Sequence, residues 1–393
     1  MREPRRVAVT GMGVLGPCGI GRDAFWAGLL SPAPDGERRL PGFEPERFFT
    51  NAKEARRADR FTQMALAATE EALAQAGELA ADPERRGVII GTGVGGLETL
   101  ETQVIAFHDK GPRRVSPFLV PMMMANAASA AVSMRHGFRG PCETTVTACA
   151  AGAHAIGNAA RLVSSGRCDV ALAGSSEAAM TPVGIQGFTN MTALSPTNFS
   201  QPFGQGRDGF VIAEGAAVLV LEELDTALAR GAVVLGEILG AASTADAHHI
   251  TAPSPGGVGA VTCMELTLAD AGLRPGDVAH INAHGTSTTL NDAAEAEAIA
   301  KVFGTPGPPV TSTKGVTGHA LGAAGALEAV AVLLSMAHGL IPPTAGTTAR
   351  DPELAPIDLV LGEPRPWTPG PTLSNSFGFG GHNGCLLLGP PPT

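Results

Sequence analysis

Residues 144–163 read TTVTACAAGAHAIGNAARLV. The β-type residues 144–148 predict a buried strand, and from Cys149 onward small residues lead into a helix with Ile156, Ala160 and Val163 on recurring turns. Cys149 then sits on a strand-to-helix corner, at the positive end of a helix dipole, with Gly152 close behind permitting a near backbone approach. Such a placement lowers a thiol pKa and favours the nucleophilic thiolate. Taken alone, the stretch reads equally well as a buried structural thiol, a description that suits Cys142, Cys168 and Cys263 better.

Two histidine stretches shift that balance. HINAHGTSTTLND, residues 280–292, places His284 directly after an apolar run and in a Gly/Thr-rich turn. TSTKGVTGHALGAAGALEAV, residues 311–330, places Lys314 at the end of another strand and His319 five residues on, ahead of a Gly/Ala-rich helix. α/β folds put their active sites at strand C-termini. One Cys and two His could also suggest zinc, but they are far apart, lack paired ligand spacing and have no acidic cluster beside them, so no metal is expected.

Around these stretches, short apolar runs alternate with Ala-rich helical segments. Strands are predicted at 7–10, 87–91, 169–174, 216–222, 278–283, 310–313 and 385–388, and helices at 60–76, 150–164, 259–271, 292–303 and 322–338. The class is α/β with largely buried strands. A faint twofold echo links GVIIGTGVGG (87–96) with HINAHGTST (280–288), suggesting two similar halves, 1–235 and 236–393, joined near 230–240. No Ser/Gly linker separates them, so one compact unit is expected.

VAVTGMGVLGPCG, residues 7–19, contains Gly-x-Gly-x-x-Gly after an apolar run. A dinucleotide site needs a helix starting at those glycines and an acidic strand end about 20 residues later. Here Pro17, Gly19 and Gly21 postpone any helix to about Asp23, and SPAPDGER (31–38) is not a strand. The glycines are expected instead in a tightly packed turn after the first core strand.

At 393 residues with 44% hydrophobic content, the chain can bury a large core, which excludes disorder as its main theme. A net charge of −10 argues against general nucleic-acid binding. The start, MREPRRVAVTGMG, has no signal-length apolar run, and no stretch reaches the roughly 18 residues of a membrane span, so a cytoplasmic enzyme is expected. The six cysteines show no C-x-x-C spacing, as in a reducing compartment. The terminal PPPT, 390–393, reads as a disordered end.

Six motifs together resemble a known family. TACAAGAHAIG (147–157), RDGFVIAEGAAVLVLEE (207–223), DAHHITAPSP (246–255), NAHGTSTTLND (282–292), TKGVTGHALGAAGALEA (313–329) and NSFGFGGHN (375–383) occur in the order of the thiolase-fold condensing enzymes. The match is to the β-ketoacyl-[acyl-carrier-protein] synthase II group and its type II polyketide relatives, and it runs from Arg6 to Leu388. This resemblance implies a five-layered α-β-α-β-α fold built from two fused βαβαβαββ halves and working as a homodimer. It implies a decarboxylative Claisen condensation, with no resident cofactor and with substrates carried on the 4′-phosphopantetheine of an acyl carrier protein.

Residue by residue, the resemblance makes Cys149 the acylated nucleophile, His284 and His319 the catalytic histidines, Lys314 the site lysine and Glu328 the glutamate that orders it. The N–H groups of Cys149 and Phe379 form the oxyanion hole, with Gly378, Gly380 and Gly381 forming a gating loop. Thr251, Thr286 and Thr288 line the pantetheine tunnel, although Thr288 also suits a turn. The acyl pocket takes Val94, Ala179, Gly184, Phe188, Leu321 and, from a second copy, Leu119. Val94 and Leu119 replace the frequent Ile and Phe, which implies a wider pocket.

Lys53, Arg56, Arg57 and Arg60 on one helical segment, with Arg113 and Arg114, would dock the acidic carrier. Thr192 stands where relatives often have Arg, and Gln201 and Gly204 replace a usual Arg and Asp. A silent chain-length partner subunit would lack the cysteine, and a CoA-dependent thiolase would carry a second one in place of the histidines. A specialised acyltransferase on the same fold, a heterodimer with a chain-length factor, and fatty-acid as against polyketide elongation all stay open.

Overall fold

The computed structural model describes residues 4–49 and 51–392; Met1–Glu3 of the basic start and Thr393 of the PPPT tail lie outside them. Its elements repeat in one order. The first run is β1 (Val7–Gly16), α1 (Arg60–Ala76), β2 (Arg86–Gly91), α2 (Ala127–His136), β3 (Cys142–Glu143), α3 (Ala151–Ser164), β4 (Val170–Glu177) and β5 (Gly215–Glu223). The second is β6 (Gly236–Ala245), α4 (Val258–Ala271), β7 (His280–Asn282), α5 (Thr289–Phe303), β8 (Pro309–Thr311), α6 (Ala324–His338), β9 (Thr372–Gly378) and β10 (His382–Gly389). With the inserted elements set aside, among them helices Arg22–Leu29, Leu97–Lys110 and Pro182–Asn190, each run is βαβαβαββ.

The sheet order β3-β2-β4-β5-β1 in the first half is matched by β8-β7-β9-β10-β6 in the second, with Asp358–Leu359 added outside β8. The halves meet where β1 pairs antiparallel with β6, Val7 opposite Ile238 and Val9 opposite Gly236. Helices α3 and α6 lie between the two sheets, α1 and α2 cover the first from outside, and α4 and α5 cover the second. Five layers result, α-β-α-β-α. Segment Leu321–His338 is long and apolar enough to cross a membrane, but it runs through this central layer and is almost wholly buried.

Small residues make the layers possible. A Cβ on Gly11 would stand 2.2 Å from the Ala72 carbonyl oxygen, and one on Gly13 would stand 2.0 Å from that of Ala68. The fingerprint glycines therefore belong to the interior of β1 and not to a turn, because α1 rests its backbone directly on the strand. Other expectations also change. Residues 144–147 form no strand, since pairing with β2 stops after Glu143. Strands β6 and β9 were not foreseen: GEILGAASTA is diluted by small residues, and the polar centre of TLSNSFG is buried between β7 and β10.

His280, at the head of β7, is buried with neither ring nitrogen bonded among the described residues, and it packs edge-on against Trp367 at 5.4 Å. Burial, helped by nearby Arg365, pulls its pKa down to about 3. Between that value and the ordinary 6.5 the unfolded chain binds a proton that the folded chain refuses, so stability is lost as pH falls through this window. His280→Phe should remove up to about 1.4 kcal/mol per pH unit of that loss, read from urea unfolding at a series of pH values. In the same assay Gly13→Ala should destabilise by at least about 2 kcal/mol. Gly276→Ala, where an added Cβ meets nothing within 4 Å, should stay within about 0.5 kcal/mol of the parent.

Candidate active site

Where β3 stops, the chain leaves the sheet, with one further backbone bond from the Thr92 N–H to the Thr145 carbonyl at 3.1 Å, and then Ala148 takes φ 49°, a left-handed conformation for a residue with a Cβ. Such a residue costs of order 1–3 kcal/mol unless its surroundings impose it. Ala148–Ala150 form a single 3₁₀ turn, and α3 begins at Ala151. This places Cys149 in the turn itself, buried, with the N–H of Phe379 near enough to its sulfur to pull the thiol pKa down. Gly378 lies so close that a Cβ there would be 3.0 Å from the Cys149 nitrogen. The two expected oxyanion donors, N–H groups of Cys149 and Phe379, thus face one sulfur from opposite halves of the chain.

The expected low thiol pKa is not what this environment produces. Burial pushes the Cys149 thiol up to about 11, although the Phe379 N–H and Lys314 both pull it down. Desolvation outweighs the helix start, so the resting sulfur carries its proton.

His284 follows β7 in a loop gripped by two carboxylates of α5. Glu295 accepts from the N–H of His284 at 2.8 Å and of Gly285 at 2.7 Å. Asp292 accepts from Thr286, Ser287 and Phe203, at 2.9, 3.1 and 2.8 Å. Both carboxylates are buried, and burial raises their pKa values, that of Glu295 to about 7. Neither was picked out from the sequence, where the only signal is a pair of acids three apart in an otherwise Ala-rich helix.

Lys314 and Glu328 are buried together in an ion pair. The ammonium also donates to the His284 carbonyl at 2.6 Å and lies 3.4 Å from its Nδ1. An ammonium has no lone pair, so Nδ1 must accept and Nε2 must carry the proton of the neutral ring. The His284 and His319 rings meet edge to face at 5.2 Å, and His319 rests against Phe210 at 5.1 Å. Burial and then Lys314 hold both histidines well below their ordinary pKa, so both are neutral near pH 7. Burial lifts Glu328 to about 7 against the pull of Lys314.

Cys149, His284, His319 and Phe379 line one cavity of about 350 Å³, which also reaches Thr251, Thr286, Thr288, Phe188 and Leu321. The Thr288 hydroxyl caps α5 through the N–H of Asn291, so it serves a turn as well as the cavity. The segment carrying Thr251 is tied to the glycine loop: Gly380 N–H donates to the Ile250 carbonyl at 2.7 Å, and Asp246 N–H to that of Gly381 at 2.8 Å. Ala179 and Leu321 join Cys149, Met180, Phe210 and Ile212 in one apolar cluster. Gly184 packs behind it against Ala179 and Leu97, while Val94 is 45% exposed and both it and Leu119 lie away from the cavity within the single chain.

The basic residues divide differently from expectation. Lys53 lies in the short helix Ala52–Ala55, and α1 starts only at Arg60, so the four cations do not share one helix. Arg60 is bound bidentately to buried Glu214, at 2.7 and 2.8 Å, which removes it from a docking surface. Lys53, Arg56, Arg57, Arg113 and Arg114 are exposed, with Arg57 stacked over Phe118. The substitutions Gln201 and Gly204 leave Arg207 a buried partner in Asp351.

Comparison with known proteins agrees with this geometry. The β-ketoacyl synthase N-terminal domain model matches residues 35–227, and the β-ketoacyl synthase C-terminal domain model matches residues 235–348. The chain is 45% identical to 3-oxoacyl-[acyl-carrier-protein] synthase 2 of Synechocystis sp., with 98% of each covered. Among solved structures, the ishigamide ketosynthase/chain length factor superposes with a TM-score of 0.92 at 32% identity, covering 99% of this chain and 100% of that one. A type II polyketide ketosynthase bound to the hexaketide, in complex with its acyl-carrier protein, superposes with a TM-score of 0.90 at 31% identity, again over 99% and 100%. The chain is a member of the β-ketoacyl synthase family, with the Cys149 turn in its N-terminal domain and His284 and His319 in its C-terminal one.

Proposed function

We propose that the chain joins a Cys149-bound acyl group to malonyl-[acyl carrier protein], giving 3-oxoacyl-[acyl carrier protein] and CO2, in fatty-acid or type II polyketide elongation. One observation carries this reading: a cysteine facing two backbone N–H donors shares its cavity with two neutral histidines. The relative named as an acyl-carrier-protein synthase, and the neighbour solved with its acyl-carrier protein, support the choice of carrier.

In the first half-reaction the sulfur attacks the carrier thioester, and the tetrahedral oxyanion takes hydrogen bonds from the Cys149 and Phe379 N–H groups. The thiol proton must leave as the bond forms, and neutral His319, whose Nδ1 has no hydrogen-bond partner among the described residues, is the imidazole able to accept it, since Lys314 occupies the free nitrogen of His284. The carrier thiol departs. Malonyl thioester then loses CO2 as its C–C pair becomes an enolate. Nε2–H of His284 is oriented to donate to that developing oxygen, with His319 beside it. The enolate carbon bonds to the acyl carbon, and the C–S bond returns its electron pair to Cys149. Lys314, held by Glu328, fixes the tautomer of His284 from behind and adds to burial in keeping both rings unprotonated.

Thr251, Thr286 and Thr288 suit the amides of a phosphopantetheine arm, and the apolar cluster of Ala179, Phe188 and Leu321, backed by Gly184, suits an acyl chain. Val94, and Leu119 from a second copy, complete that pocket in a homodimer; a chain-length-factor heterodimer is the alternative, in line with the ketosynthase/chain length factor neighbour. Lys53, Arg56, Arg57, Arg113 and Arg114 form the carrier face, and the enzyme works in the cytoplasm without a resident cofactor. Residues 1–235 and 236–393 divide the labour between nucleophile and histidines.

With acyl- and malonyl-loaded carrier protein, Cys149→Ala should abolish 3-oxoacyl product by mass spectrometry. His284→Ala and His319→Ala should lower condensation by about 10²–10³-fold, with acylation of Cys149 retained better in at least one of them. Equal loss of both steps would refute the histidine roles. Lys314→Met should let both imidazoles rise toward their ordinary pKa, so that the rate at about pH 6 falls relative to that at about pH 8. An unchanged ratio would remove Lys314 from that role.

A further inference from the structure

One buried imidazole beside the nucleophile takes no part in this chemistry. His154 lies on α3, five residues past Cys149, with Nδ1 2.8 Å from the Thr147 hydroxyl and Nε2 3.0 Å from the Asn383 carbonyl oxygen. A carbonyl oxygen only accepts, so Nε2 bears the ring proton. Burial holds the ring neutral, which leaves Nδ1 bare to accept from Thr147. Room for the ring is made by Gly384, where a Cβ would stand 2.8 Å from both Cδ2 and Nε2.

The two segments this ring joins are those that carry the oxyanion donors. Thr147 precedes left-handed Ala148 and the Cys149 turn. Asn383 pairs with Phe377 across the β9–β10 hairpin, whose tip presents Phe379. These segments are more than two hundred residues apart in sequence, and nothing local sets their separation. We propose that His154 is a positioning residue for the oxyanion hole, setting the spacing between the Cys149 and Phe379 N–H groups by holding Thr147 on one ring nitrogen and Asn383 on the other. The inference rests on the condensing reading given above.

The test separates oxyanion stabilisation from the reactivity of the sulfur. Acylation of Cys149 by an acyl-carrier-protein thioester passes through an oxyanion, whereas alkylation by iodoacetamide is a displacement at carbon and does not. His154→Asn keeps an acceptor for Thr147 and loses the reach to Asn383; His154→Gln keeps a donor for Asn383; Thr147→Val removes the first bond and leaves the helix alone. Each should slow acylation about 10–100-fold through kcat, with KM for the carrier unchanged and alkylation within about twofold of the parent. Alkylation falling in parallel with acylation, or acylation within about twofold of the parent in all three variants, would overturn the proposal. A parent chain that accepts no acyl group from the thioester would overturn the condensing reading, and this inference with it.

Discussion

The site depends on a backbone contact between two helices. Gly152 of α3 and Gly325 of α6 face each other's neighbours so closely that a Cβ on either would stand 2.7 Å from the nitrogen of Ala326 or Ala153. This reciprocal contact brings the starts of the two central helices together across the pseudo-twofold relation of the halves. The cavity's walls are arranged around it: the Cys149 turn before α3, the 319–323 turn before α6, and the loops at the ends of β7 and β9. A side chain at either glycine would drive the halves apart before any site existed. Glu177 of β4 reinforces the join, accepting from Gly93 and Gly322 N–H groups, with burial lifting its pKa to about 7.

A charge is buried at this junction for electrostatic reasons. Desolvating Lys314 costs free energy that its pairing with Glu328 and the His284 carbonyl offsets. Burial is the larger reason that both histidines are unprotonated; the ammonium adds to it, and its contact with Nδ1 of His284 leaves the ring proton on Nε2. The same burial raises the Cys149 thiol. The cysteine and the two histidines are therefore all uncharged at rest, and under the proposed reaction charge would develop only where prearranged N–H donors are worth most.

Helix 60–76 was legible to the residue, because its Ala and Leu repeat matches burial against a strand. Strand 86–91 was nearly so, as a continuous apolar run bounded by turns. The polar strand Thr372–Gly378 was not, since its buried Asn375 is tolerated through Glu295 and Cys385 and its Ser374 through Asn282, partners remote in sequence or on the neighbouring strand. The segment 144–147 misled in the opposite direction. Its β-branched residues favour extension, but no neighbouring strand continues there. Arg60 looked available as one cation among several, and only Glu214, 154 residues away, shows it to be engaged.

The sequence by itself determined the α/β class and most of the helices, because periodicity is a local property of the chain; its motifs singled out Cys149, His284, His319 and Lys314 as candidates, and only their resemblance to a family added Glu328 and the repeated order of elements. Tertiary structure alone decided that the glycines of 7–16 lie inside a strand, that Cys149 is desolvated and protonated at rest, that Glu295 and Asp292 hold the His284 loop, that His154 bridges Thr147 and Asn383, and which basic residues are exposed. Those outcomes depend on distances between residues hundreds of positions apart and on exclusion of water, which exist only once the two halves have packed.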